Sequence, residues 1–160
     1  MLVVALALLA FFAPPSFAGQ GAPDGTVPPG AEVRSETGPA SALRLFASVE
    51  EAWIKPDAER LASMVDTTSV RIAVKPGAPL TAALTRGAAA FLFQDQLRLV
   101  QTHGFRIVRF EADSKKPTAR ATATWMGDWG GQRGKRSVQV TMTARSVGGV
   151  WLLTEIRAED

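Results

Sequence analysis

The chain has 160 residues, 46% of them apolar and 21% charged, with a formal net charge of +3 and no cysteine. One domain fits that length, and the missing thiols exclude a disulfide scaffold, a zinc ribbon and a cysteine nucleophile. Tyrosine is also absent and histidine occurs once, at His103, so the side chains most used for general acid–base catalysis are nearly lacking.

Residues 2 to 13, LVVALALLAFFA, carry no charge. That run matches the apolar region of a secretion signal and falls short of the ~18–20 residues that span a bilayer. Pro14 and Pro15 break it, and Ser16-Phe17-Ala18 offers small residues to a signal peptidase. Residues 1–18 are therefore expected to be a signal peptide cut after Ala18, with a retained N-terminal anchor as the alternative. Cleavage would leave an exported protein, periplasmic or secreted, without a stable membrane span. Export without disulfides suits a bacterial envelope. Residues 19–40 contain five glycines and four prolines and show no helical or strand period, which predicts a flexible linker.

The domain proper is expected over 41–158. Ser41 to Lys55 reads as a helix with Leu43, Phe46, Ala47, Val49 and Trp53 on one broad apolar face. Pro56 ends it, and Asp57 starts a short second helix to Val65. Ser69 to Val74 alternates like a strand, Pro76 to Pro79 turns, and Leu80 to Leu84 is a candidate return strand. Thr85 is placed to cap a long helix, Arg86 to Gln101, whose apolar face of Ala89, Ala90, Phe93, Leu97 and Val100 is widened by Leu92, Gln96 and Leu99. A face that wide predicts burial beneath a curved sheet.

The last third has the period of strands at Phe105–Ala112, Thr118–Met126, Arg136–Arg145 and Gly149–Arg157. Short turns join the first to the second and the third to the fourth, which requires antiparallel neighbours. Gly127 to Lys135 reads as a Gly-rich loop between the middle strands. It joins two strands, whereas a phosphate loop opens a helix, so it reads as a hairpin tip. In the last strand Trp151 and Leu153 oppose Val150, Leu152 and Ile156, which puts apolar groups on both faces.

This element order resembles the cone-shaped α+β fold of the nuclear transport factor 2-like superfamily, with N-terminal helices packed on a curved antiparallel sheet. The stretches LRLFASVEEAW at Leu43–Trp53 and GGVWLLTEIRAE at Gly148–Glu159 also resemble the bacterial family called domain of unknown function 4783. The resemblance implies a pocket between the helices and the concave face of the sheet. Phe46, Trp53, Phe93, Leu97 and Met142 are the candidate pocket residues. It also implies a possible homodimer through the sheet. Enzymatic members place Asp, His or Tyr in the cone, and the isomerase-type tyrosine donor is missing here.

The carboxylates available for such chemistry are Asp57, Asp66, Asp95, Asp113, Asp128, Glu111 and Glu155. Asp57, Asp66, Asp113 and Asp128 read as turn or cap residues, and Asp95 suits an ion pair with Arg98. Glu155 shares the parity of Trp151 and Leu153, and with His103 it is the first catalytic candidate. His103 stands before Gly104, where it would close the long helix and favour its C-terminus. One histidine and scattered carboxylates predict no metal site and no cofactor. Trp129 and Trp151 are candidate partner contacts.

Residues 104–160 carry 10 basic and 6 acidic side chains, net +4, against net −1 over 19–103. That excess is too thin for nucleic acid and suits a solvated sheet face or weak attraction to anionic lipid, cell-wall polymer or an acidic partner. The favoured expectation is a non-enzymatic module that binds a small apolar ligand or a protein partner. The alternative is a cofactor-free isomerase, dehydratase or hydrolase working through a carboxylate in the cone.

Overall fold

The structure is a computed structural model that describes residues 38–113, 115–129 and 134–160. The expected signal peptide at 1–18 and all but the last three residues of the expected linker lie outside them.

Helix α1 (Pro39–Ile54) starts two residues before the expected Ser41. Proline suits the first helical position, where its missing N–H is not needed. Ala42, Phe46, Val49, Ala52 and Trp53 form its buried stripe, while Leu43 remains 46% exposed. The Asp57 carboxylate accepts from Arg60 N at 2.9 Å and caps α2 (Ala58–Ser63), which buries Leu61 and Ala62. Strand β1 (Arg71–Ala73) is only three residues long and pairs parallel to the last strand.

The return strand expected over 80–84 does not form. Only Thr81 reaches β1: its N–H donates to Ile72 O at 3.2 Å and its hydroxyl accepts from Ile72 N at 3.0 Å. Pro79, the residue two positions earlier, has no N–H to extend a ladder.

Helix α3 (Arg86–Arg98) is capped by Thr85, as its sequence predicts, and ends three residues early. Ala89, Ala90, Phe93 and Leu97 are buried, but Phe91 is 71% exposed. The wide burial expected of this helix is therefore replaced by one-sided packing. Leu99 closes the helix, and Val100 already belongs to β2 (Val100–Ala112). His103 thus lies inside a strand and not at a helix end.

Strands β3 (Thr118–Trp129), β4 (Lys135–Val147) and β5 (Val150–Glu159) complete a sheet ordered β1-β5-β4-β3-β2. The pairs from β2 to β5 are all antiparallel. The expected 127–135 loop is shorter, because β3 runs to Trp129 and β4 begins at Lys135. Gly148 and Gly149, with φ of 58° and 88°, form the two-residue β4–β5 turn, where positive φ at both positions matches the twist of the ribbon.

The inner face of the sheet is set by strict alternation. Ala119, Ala121, Ala123 and Trp125 on β3 stand beside Val138, Val140, Met142 and Ala144 on β4, all buried. The alanines leave room for the rings of α1, which the sheet wraps. Phe46 meets Phe110 of β2 edge-on at 5.9 Å, and Trp53 stacks on Phe105 at 4.6 Å. The helix held against the sheet is thus α1, while α3 packs largely on α2.

In β5 the register jumps between Thr143↔Glu155 and Ala144↔Leu153, leaving Thr154 as an extra residue. This bulge explains the apolar groups that sequence parity assigns to both faces. Trp151, Leu153, Ile156 and Ala158 all reach the core, because the inserted residue switches the phase between Leu153 and Ile156.

Candidate functional site

The interior between α1, α3 and the sheet is filled by aromatic rings. Trp53 lies in contact with Phe93 at 6.3 Å, Phe105 at 4.6 Å and Trp125 at 5.3 Å. Edge-on and stacked rings at such distances add attraction beyond simple burial. The sequence-predicted pocket residues belong to this packing: Phe46, Trp53, Phe93 and Met142 are fully buried and Leu97 is 3% exposed. Trp125 Nε1 donates to Thr102 Oγ1 at 3.0 Å. The indole N–H groups of Trp53 and Trp129 are buried without an acceptor among the described residues.

Open space begins where this cluster ends. Between the end of α3, the start of β2 and the adjoining ends of β3 and β4 lies a depression of about 350 Å³. Leu99, Val100 and Trp129 supply its apolar wall, and Gln96, Lys75 and Arg136 its polar rim. Trp129 is half-buried with its ring 4.6 Å from Trp125, so it forms part of a wall where the sequence places it on a loop tip. Arg136 is held by an ion pair with Asp160. Local pattern singles out Trp129 with Arg136 near it, but not Leu99, which becomes exposed only because the helix ends early.

The two catalytic candidates do not stand in the interior. Glu155 lies on the outer face, opposite Thr143, because the Thr154 bulge reverses its parity. Its carboxylate is held by Arg71 at 2.6 Å. His103 is the extra residue at a bulge in β2, and its Nε2 lies 2.7 Å from Asp128 Oδ2. Asp128, expected in a turn, is a β3 residue. These two groups form one surface pair on the wall of the sheet. Trp151, a candidate partner contact, is 7% exposed and belongs to the core.

Asp66 is the buried charged residue among those described, 4% exposed. Its carboxylate accepts from Thr68 Oγ1 at 2.6 Å, Thr68 N at 3.0 Å, Ser69 Oγ at 2.9 Å and Arg145 Nη2 at 2.8 Å. The Thr68 hydroxyl bond, helped by the others against the opposing effect of burial, holds its pKa well below the ordinary carboxylate range. A group so firmly ionised cannot act as a proton-sharing acid near neutrality; it organises the turn between α2 and β1. Among the described residues no three His, Asp or Glu side chains are grouped to hold a metal ion, and no helix is long and apolar enough to cross a membrane.

Helices packed inside a curved, largely antiparallel sheet, with an opening at one end of the interior, define the nuclear transport factor 2-like fold. The solved structures bear this out. A protein of the domain of unknown function 4783 family from Bacteroides ovatus superposes with a TM-score of 0.58 and 15% identity, over 71% of this chain and 93% of its own. A protein from the NTF2-like family of Streptomyces avermitilis gives 0.57 and 20%, over 75% and 93%. A Catenulispora acidiphila protein with a ketosteroid isomerase-like fold, solved in complex with trimethylamine, gives 0.57 and 10%, over 72% and 84%. No protein-family model and no curated protein matches the sequence. The fold expected from the sequence is therefore the fold observed, and the chain is an α+β domain of nuclear transport factor 2-like architecture.

Proposed function

We propose that the domain is a binding module for a small, flat, apolar ligand that lodges at the mouth between α3 and the sheet. The observation that supports this is the division of the interior. Its depth is filled by Trp53, Phe93, Phe105 and Trp125, whereas its mouth leaves about 350 Å³ beside Leu99, Val100 and Trp129. That volume falls at the small end of known ligand sites, ~300–1,000 Å³. The cationic groups of Lys75 and Arg136 favour an anionic substituent at the rim.

Catalysis of the isomerase, dehydratase or hydrolase type needs a carboxylate in the cone with a raised pKa. Glu155 and His103 face outward in ion-paired or hydrogen-bonded partnerships, and Asp66 is shifted in the opposite direction. We also propose, from the uncharged run at residues 2–13 and independently of the binding site, that the protein works outside the cytoplasm. N-terminal sequencing of protein from its own host is expected to begin at residue 19.

Anilinonaphthalene sulfonate, flat and apolar with one anionic group, is a suitable test ligand. Its fluorescence on titration is expected to saturate at one dye per chain. Leu99→Glu puts a charge into the wall at a residue that is 55% exposed, so it should weaken dye binding about tenfold or more with the urea midpoint unchanged. Dye binding that never saturates, or that ignores Leu99→Glu, would remove the mouth from consideration.

A further inference from the structure

The strand register assembles a second feature on the outer face of the sheet. One row of cross-strand neighbours runs through all five strands as Glu111, Arg120, Thr143, Glu155 and Arg71. One step along β4, Arg145 stands opposite Thr118. Arg71, Arg120, Arg145, Thr118 and Thr143 line one depression of about 480 Å³ together with Glu155. Two neighbouring depressions also reach Arg120.

The charges in this basin do not cancel. Arg71 is paired with Glu155 and Arg145 with Asp66, each through one terminal nitrogen. Arg120 makes no ion pair with a described residue, because Glu111 beside it is taken by Arg109. With Arg109 and Glu111 included, four guanidinium groups face three carboxylates. A guanidinium has five N–H donors, so Arg71 and Arg145 keep donors beyond those their partners use. Both carboxylate partners fix their arginines on rigid strands, which reduces the ordering cost of a ligand.

We propose that this depression is a phosphate-binding site, taking the phosphate of a small ester or of a lipid headgroup. A planar carboxylate is satisfied by one guanidinium fork. Here donors come from β1, β3 and β4 around the Thr143 hydroxyl, an arrangement that suits the several oxygens of a tetrahedral phosphate. The site is independent of the mouth: no residue is shared between the two depressions.

The test uses the full chain at fixed ionic strength, with binding followed by calorimetry and by the amide signals of Arg120 and Thr143. Glycerol phosphate is the soluble ligand, acetate the planar control, and phosphatidylglycerol vesicles the lipid arm. Saturable binding of glycerol phosphate tighter than acetate supports a soluble ester. Binding to the vesicles alone supports a headgroup. In either case Arg120→Gln should weaken binding about tenfold, in line with loss of a charge-assisted hydrogen bond, and Arg120→Lys less. Arg106→Gln, on the same face outside the depression, should change it less than about twofold, as general screening would allow. Arg120 is exposed and makes no ion pair with a described residue, so an unchanged urea midpoint will show that Arg120→Gln folds. The proposal is overturned if neither phosphate source binds, if acetate binds as well as glycerol phosphate, or if Arg106→Gln and Arg120→Gln weaken binding equally.

Discussion

Asp66 provides the sharpest check on how the fold is held together. Its carboxylate accepts four hydrogen bonds, and its backbone N–H donates to Leu153 O at 2.8 Å. Together they fasten the α2–β1 turn to β4 and β5. Asp66→Ala would remove all four acceptor contacts and keep the backbone bond. Neutral hydrogen bonds contribute about 0.5–1.5 kcal/mol each and charged ones about 1.5–3. The Arg145 side chain is 46% exposed and regains water, so its share falls toward the lower figure. A loss of about 3–4 kcal/mol is expected, less than the plain sum because the contacts share one anion. Asp66→Asn keeps an oxygen for Thr68 and should lose about half as much.

The acid limb adds an independent readout. Because the folded-state pKa of Asp66 lies below the ordinary aspartate value of about 3.8, the unfolded chain takes up its proton first. The stabilisation is whole above about pH 5 and declines as the pH falls through 4 and below. Urea unfolding at pH 7 and at pH 3 should therefore show a wide gap between wild type and Asp66→Ala that narrows in acid. A loss under about 1 kcal/mol at pH 7, or a gap that widens in acid, would refute the pinning role.

Trp53→Ala removes the ring that meets Phe93, Phe105 and Trp125 and should cost about 3–5 kcal/mol by urea unfolding; a cost near that of a surface change would show that the interior is not packed as described. Gly127→Ala would place a Cβ 2.6 Å from Val100 Cγ1 and 3.0 Å from Gln101 O. It should destabilise by about 1–3 kcal/mol, and adding Val100→Ala should return part of the loss, with strict additivity of the two costs counting against the clash. A homodimer through the sheet, expected from the sequence, would bring Arg106, Arg120 and Arg157 of two copies together. Its population measured by light scattering should rise with salt as the like charges are screened, and a dimer that salt dissolves would point to another surface.

Sequence pattern revealed the elements whose geometry is local. Asp57 and Thr85 cap helices as their neighbours predict, and the alternation of β4 shows which of its residues enter the core. The end of α3 was not legible, since LRLVQ has good helix propensity and only pairing of Val100 and Gln101 with Trp129 and Asp128 turns it into strand. His103 was misplaced for the same reason. Sequence parity puts Glu155 on the wrong face, because a one-residue bulge leaves no compositional mark. The basic basin depends on register across five strands, so Arg120 did not stand out, although the excess of positive charge in the last third was already visible.

The outermost long strand, β2, carries two irregularities, at His103 and Val108, where the register with β3 slips. Near the second, Ile107 N donates to the Glu50 carboxylate of α1 at 2.9 Å instead of facing water. A regular margin of thirteen residues would be an inviting template for another polypeptide to zip onto. The kinks and the occupied amide interrupt that template, so removing His103 and Val108 together with Glu50→Ala should raise the light scattering of the protein on standing, and unchanged scattering would count against this role.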